Sequence, residues 1–496
     1  MRKKRLFYNT ITSFAFQITT IICGFILPRL ILKEFGSEVN GLVNSITQFL
    51  NIIAFLELGV GSVVQSSLYK PLTDNDEREI SKIVASAGKF FKHLAQILLV
   101  YIFILLLGYP FIANQDFGWL YTAGLIVAMS ISSFTQYYFG VVDRLLLTAD
   151  QRGYVQYISQ IATLVINTFA CFVLIKLGAT IHMVKLTTSI IYLIRPIYLR
   201  MYVNKHYNID RKIKYIGEPI KQKWNGVAQH VAAVILDGTD NIVLTIMSTL
   251  SNVSIYSVYN LVVAGVKQLL LSMTNGIQAL LGELWSNQEI GKLKKTFSWV
   301  EWSIHTGTVL VFGCTGCLIV PFVMVYTLNV QDANYIQPLF AFLIVIANAV
   351  HCLRLPYNIM ILAAGHYKQT QKSYIIAAIT NICISVICVR FWGLIGVAIG
   401  TFIAMIYQTV WMAYYISKQL IRWPIRRFIM QIFVDIISVV VSSVLCSAFK
   451  MGSVTYFSWI ILSIKVFLVW LFIVGVLNFI FYKNKMILMV KKIKLK

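Results

Sequence analysis

Ten ionisable residues stand inside long apolar stretches of this chain: Arg29, Lys185, Arg195, Lys267, Arg354 and Lys465, with Glu57, Asp237, Asp240 and Asp435. A charge at the centre of a membrane-spanning helix costs about 2.5–3.5 kcal/mol on insertion scales, so such residues face a protein interior or water and mark a working site. Arg29, Lys267 and Arg354 lie farthest from the ends of their stretches. Fixed cations in a low-dielectric cleft suit a pyrophosphate or an acidic sugar, and guanidinium offers a planar fork of donors. Arg29 follows Pro28, which removes a backbone donor and favours a local opening. His351 and Arg354 are three apart and share a helix face. Asp237 and Asp240 are spaced the same way, and two close carboxylates can hold Na⁺, share a proton or neutralise a lysine such as Lys267. Glu57 joins them as a candidate for the cavity or for ion coupling. Lys185 and Arg195 lie within reach of an interface, to which they can snorkel, and complete the candidates. Asp435 and Lys465, on the last two stretches, are expected to pair with each other.

Other motifs carry less. Cys314-x-x-Cys317 has no second pair or His-rich neighbour, so no metal site is expected and the eight cysteines read as small packing residues. Gly59-Val-Gly61 lacks the Lys-Ser/Thr of a phosphate loop. Gly396-xxx-Gly400 is a helix-packing spacing.

The elements that must position these charges follow from composition. The chain has 496 residues, 58% hydrophobic and 12% charged, with a mean hydropathy of +0.74. So much apolar side chain needs lipid as its solvent. Fourteen stretches of about 20 residues read as spanning helices, from 9–32 and 40–69 to 428–449 and 455–482, and none alternates as a barrel strand would. The first is read as a retained helix, since no cleavage pattern follows it. The net charge of +24 is spread through the loops rather than gathered on one face, so no nucleic acid is expected. Counted over alternate loops, 33 Lys and Arg fall on one side and four (Lys33, Lys176, Arg390, Lys450) on the other. That imbalance places both termini in the cytoplasm.

The two halves repeat at an offset of 215, which sets Gly61 on Gly276, Ala149 on Ala364 and Gly178 on Gly393. Six helices per repeat is an even number, so the copies keep one orientation, related by an axis along the membrane normal. The expected architecture is an all-α integral membrane protein: two six-helix bundles in parallel pseudo-twofold repeat plus two C-terminal helices. Residues 1–200 form the first lobe, 201–224 a basic cytoplasmic linker, 225–417 the second lobe, and 418–496 the extra helices and basic tail.

The segments LPRLIL-KEFG-S-VNGL and DGTDNIVLTIM-S-VSIYSVYN (237–260) resemble the polysaccharide flippase family, the O-antigen and capsule repeat-unit exporters of the multidrug/oligosaccharidyl-lipid/polysaccharide superfamily. The resemblance implies a flippase in the bacterial cytoplasmic membrane that turns undecaprenyl-pyrophosphate-linked oligosaccharide across by alternating access, coupled to Na⁺ or H⁺, with no other cofactor. Its partners would be the polyprenyl-linked glycan, membrane lipids, and glycan polymerase and glycosyltransferases. Three alternatives stand beside it: a lipid II exporter, a multidrug or cation exporter of the same superfamily, and a membrane glycan polymerase or ligase. The surplus of deep cations weighs against organic-cation export. Short outer loops with few charged groups weigh against catalysis, so no enzyme is expected. The expected cavity is lined by Arg29, Glu57, Asp237, Asp240, Lys267 and Arg354.

Overall fold

The structure, a computed structural model, describes residues 2–52, 54–112, 117–215, 238–274 and 276–494, which are helices and turns with no strand. Only structures that satisfy every backbone N–H and C=O internally can cross lipid, and the helix does so within one segment.

The first half runs α1 (Arg2–Asn51), α2 (Ala54–Asp74), α3 (Glu77–Ile112), α4 (Trp119–Thr135), a π turn (Gln136–Gly140), α5 (Val141–Ala149), α6 (Gly153–Lys176) and α7 (Ile181–His206). The second half runs α8 (residues 238–247), α9 (Leu250–Met273), α10 (Ile277–Ser286), α11 (Ile290–Tyr326), α12 (Pro338–Leu353), α13 (Leu355–Ala363), α14 (Tyr367–Trp392) and α15 (Leu394–Tyr415). The chain closes with α16 (Ile425–Cys446) and α17 (Tyr456–Lys494). Eleven helices meet a length-and-hydropathy test for spanning. The remaining expected spans are α2, the Lys- and Arg-bearing α7, and α8, whose approach lies outside the described residues. The protein is a multi-pass membrane protein, and its large exposed side chains, such as Phe169, Phe391 and Phe472, are those of a chain solvated by lipid.

α1 is two helices joined at Gly36, whose φ of 81° and ψ of 177° only glycine adopts without strain. The break ends the first apolar stretch and starts the second. Gly178 and Gly393, 215 positions apart, both have positive φ (74° and 51°) at the ends of α6 and α14. At this pair the repeat extends to a positive φ.

The chain divides into two units, 1–234 with 249–254, and 235–248 with 255–496. In unit 1, α1 packs along α6, α6 on α7, α7 on α4, and α2 on α3 and α5. In unit 2, α15 packs on α14 and α12, α11 on α12, and α16 and α17 on each other and on α11. A Cβ at Gly396 would sit 2.4 Å from the Cys388 carbonyl carbon, and one at Gly400 2.1 Å from Ser385 Oγ. The glycine spacing therefore lets α15 lie directly on α14. Helix α16 inverts the soluble pattern. Its buried stripe includes Gln431, Asp435, Ser438 and Ser442 beside Phe428, Val434 and Cys446, while Phe433, Ile436, Val440 and Val444 face outward. Polar groups hide from lipid in the protein interior.

Candidate functional site

The tight α14–α15 contact gathers oxygens around Asp240. Thr401 Oγ1 lies 2.9 and 2.8 Å from the two carboxylate oxygens of Asp240, and Tyr256 donates its hydroxyl to one of them at 3.0 Å. Asn381 Oδ1 accepts from Thr401 at 3.3 Å and from Ser385 at 3.1 Å, and Ser385 reaches the Val397 carbonyl at 3.4 Å. Asp240 and Lys267 line a small cavity of about 30 Å³ with Tyr256, Asn260, Asn348 and His351. One water-sized guest needs about 10–15 Å³ on this measure, so the cavity has room for an ion or a water or two.

Arg354 stands at a break. α12 ends at Leu353 and α13 begins at Leu355, with Pro356 removing a backbone donor. The guanidinium is buried, bonds the side-chain carbonyl of Gln408 and lies 3.4 Å from His351 Nδ1. Its Nε and the Gln408 amide nitrogen have no partner among the described residues. These are donors set in a buried polar place, as an anion would need. At the matching position of unit 1 the irregularity is the π turn Gln136–Gly140, without a charge.

The structure thus brings Asp240, Lys267, His351 and Arg354 into one unit, with His351 shared between the cavity and the arginine. Arg29, Lys185 and Arg195 belong to unit 1 and are half-buried. Arg195 Nε donates to Thr163 at 2.6 Å and its guanidinium lies 3.8 Å from the Tyr192 ring centre. Its NH2 has no hydrogen-bond partner among the described residues. Asp237 and the side chain of Glu57 lie outside the described residues.

One expectation is corrected. Asp435 does not pair with Lys465, which is exposed on α17. Asp435 Oδ2 bonds His305 Nδ1 at 2.7 Å, and Gln431 donates to Oδ1 at 3.3 Å. His305 belongs to a chain that sequence reading missed. Glu301 accepts from the Tyr357 hydroxyl at 2.7 Å and from Trp423 Nε1 at 3.1 Å, and the Tyr357 oxygen lies 3.4 Å from His305 Nε2. The available signal was an acid and a histidine four apart on one helix face.

The charges of unit 1 are satisfied mainly at its basic-loop end. Asp143, with no exposed surface, pairs with Arg200 at 3.2 Å and Arg211 at 2.6 Å. Asp150 pairs with Arg5 at 2.9 Å and Arg152 at 2.8 Å, and accepts from Tyr207 at 2.5 Å. Burial and the Asp150 carboxylate both push the Tyr207 phenol above its ordinary range, so it stays a donor.

Beside the polar site runs an apolar groove of about 1000 Å³, lined from α11, α12, α15, α16 and α17. Val350 and Leu353 of α12 line it, and Asp435 and Thr308 are among its few polar groups.

No protein-family model matches the sequence, and no curated protein matches it. Solved structures do match in fold. A lipid II flippase MurJ in an inward closed conformation is 16% identical with a TM-score of 0.71, covering 96% of this chain and 99% of that one. An inward-facing multidrug resistance MATE transporter of the MOP superfamily is 14% identical with a TM-score of 0.64, covering 82% and 98%. The Vibrio cholerae MATE transporter VcmN in its bent form is 12% identical with a TM-score of 0.58, covering 84% and 97%. The chain has the fold of the MOP-superfamily transporters.

Proposed function

We propose that this chain flips a polyprenyl-pyrophosphate-linked oligosaccharide repeat unit across the bacterial cytoplasmic membrane, with both termini in the cytoplasm, by alternating access. One observation carries the reading: α12 turns Val350 and Leu353 to the apolar groove and bears His351 and, at its end, the buried Arg354. A cargo with a long hydrocarbon tail and a phosphate head needs both environments within reach of one helix. The tail lies in the groove while the pyrophosphate meets Arg354 and Lys267, with Arg29, Lys185 and Arg195 as the cations of unit 1. An organic cation would find little to hold it in such a set. The fold comparison agrees in extent. The likeness to the lipid II flippase covers 96% of this chain and that to the multidrug transporter 82%.

Coupling is assigned to Asp240. The carboxylate, the oxygens of Thr401, Asn381 and Ser385, and the Val397 carbonyl are hard donors suited to Na⁺. Lys267 lines the same cavity, so ammonium and Na⁺ are alternative neutralisers of one carboxylate. Release of Lys267 toward an anionic cargo then favours Na⁺ uptake. Glycosyltransferases would supply this cargo and a polymerase would use it.

The test is a proteoliposome assay of a fluorescent polyprenyl-pyrophosphate oligosaccharide, scored by its protection from a membrane-impermeant quencher. Flipping that depends on Na⁺ and on Arg354 supports the reading; export of cationic dyes with no lipid flipping overturns it. Lipid II is the second cargo to run in parallel, on the strength of the fold likeness.

A further inference from the structure

The chain from Glu301 to Asp435 is built on α11, α13 and α16, with Trp423 from the turn before α16, and every member is buried. Glu301 and Asp435 each lie about three turns into their helices, enclosed by protein. Two carboxylates and an imidazole at that depth form a costly set, held only if each lone pair and proton has a partner.

The hydrogen atoms can be assigned from the partners. The indole N–H of Trp423 donates to Glu301, and the Tyr357 hydroxyl spends its one proton on the same carboxylate at 2.7 Å. His305 faces the Asp435 carboxylate through Nδ1, so Nδ1 carries a proton. His305 Nε2 then faces the Tyr357 oxygen at 3.4 Å, a position where both atoms present lone pairs. With both carboxylates ionised and the histidine neutral, the group carries two negative charges and one opposed lone-pair contact. A proton added at Nε2 resolves both. The imidazolium donates to Asp435 through Nδ1 and to the Tyr357 oxygen through Nε2, while Tyr357 keeps its own proton on Glu301. The net charge falls to one negative.

A second observation is independent of this chain. Thr308 Oγ1, one turn beyond His305 and without exposed surface, has no hydrogen-bond partner among the described residues, and Thr308 and Asp435 both line the groove. A buried hydroxyl left unpaired is costly and points to a hydrogen-bonding guest at that end, water or hydronium. The other charged or titratable groups facing the chain are Lys485 and Tyr482 of α17 and Arg427, whose guanidinium lies 4.5 Å from the Trp423 ring centre. Lys485 is held by the Ser298 carbonyl at 2.8 Å rather than by Glu301.

We propose that Glu301, Tyr357, His305 and Asp435 form a proton-binding site, separate from Asp240, that takes up one proton at His305 Nε2. Tyr357 sits three residues past Arg354 on the short helix α13, so the proton bears on the element that carries the buried arginine. Protonation adds a Tyr357–His305 bond to the Tyr357–Glu301 bond that already ties α13 to α11; deprotonation leaves the Glu301 bond alone.

The test needs no cargo, so it stands apart from the flippase reading. The full chain, labelled with ¹⁵N-histidine in nanodiscs, is followed by NMR from roughly pH 5 to 8, where imidazole changes charge. Among seven histidines, His305→Gln assigns the signal. The expected result is a shift from an Nδ1–H neutral ring to imidazolium as pH falls. In Asp435→Asn, which loses the anionic acceptor, about ten-fold weaker proton binding is expected. If His305→Gln does not fold, the histidine signal that moves in Asp435→Asn and in Tyr357→Phe identifies the site instead. One unchanging form of His305 across the range, or a titration indifferent to Asp435 and Tyr357, overturns the proposal.

Discussion

Near residue 139 in unit 1 and at residue 354 in unit 2, 215 positions apart, a spanning helix departs from regular geometry. In unit 1 the departure is the π turn Gln136–Gly140, carrying Tyr137, Tyr138 and Phe139; in unit 2 it is a break that buries Arg354 against Gln408 and His351. The same contrast recurs along each unit. Unit 1 places its described acids at the helix ends, where Asp143 and Asp150 hold four arginines, and leaves Lys185 and Arg195 inside with no carboxylate partner among the described residues. Unit 2 carries acids and cations inside together: Asp240 with Lys267 on one cavity, and Glu301 and Asp435 with His305 in one chain. A repeated backbone needs repeated turns and packing, whereas charge content is free to diverge. On the proposed reading, cation binding belongs to unit 2, and among the described residues of unit 1 the interior cations Lys185 and Arg195 are the groups open to an anion.

The largest effect is expected at Arg354. Arg354→Gln removes a buried fork of charge-assisted donors, worth about 1.5–3 kcal/mol each to an anion, and flipping in proteoliposomes should fall about 100-fold. Substitution of Phe139, its counterpart in unit 1, by Leu should change the rate less than about two-fold. Equal losses at both would dissolve the contrast. Next comes Asp240→Asn, which keeps the hydrogen-bonding shape and removes the charge. Flipping should drop about ten-fold and lose its dependence on Na⁺. Persistence of that dependence in the variant moves coupling away from unit 2.

Much of this was legible in the sequence. A charge within an apolar run is visible at once, and spacing alone joins His351 to Arg354. Glycines at a constant offset announce the repeat, and Gly178 and Gly393 keep it in φ. The missed chain has physical reasons. Sequence hydropathy starts the ninth span near residue 298, so Glu301 reads as an acid at the edge of its run, whereas in the structure it is buried on α11. Its partners Tyr357 and Trp423 are neutral aromatics that read as packing. Asp435 finds His305 some 130 positions away, a choice made by helix packing that no local pattern encodes. The π turn has no local signal either, being a register slip in an otherwise regular run.

Removing the internal cations of unit 1 should act more gently and in a different currency. In Lys185→Met with Arg195→Met, flipping should fall about three- to ten-fold. Thermal stability should hold or rise, because a buried charge without an opposite partner is a net cost that a well-packed apolar side chain does not carry. The reverse pattern, full transport with a large drop in melting temperature, would mean that Arg195 serves the fold through Thr163 and Tyr192 and that unit 1 offers no anion surface.

The smallest effects probe the shared frame. Gly178→Ala and Gly393→Ala each place a Cβ on a backbone of positive φ, at 74° and 51°. Left-handed backbone costs a non-glycine residue about 1–2 kcal/mol. Gly393, with ψ of −122°, lies in a region still less open to alanine and should sit at or above the top of that range. Both variants should lower the melting temperature in detergent while leaving Na⁺ dependence and the His305 titration untouched, since neither glycine touches a charge. A variant that loses stability at one glycine only would show that the two turns are not equivalent parts of one repeated plan. Altered Na⁺ dependence in Gly393→Ala would instead tie the turn to the Asp240 site through α14 and α15, the helices it joins, and make backbone conformation in unit 2 part of its ion chemistry.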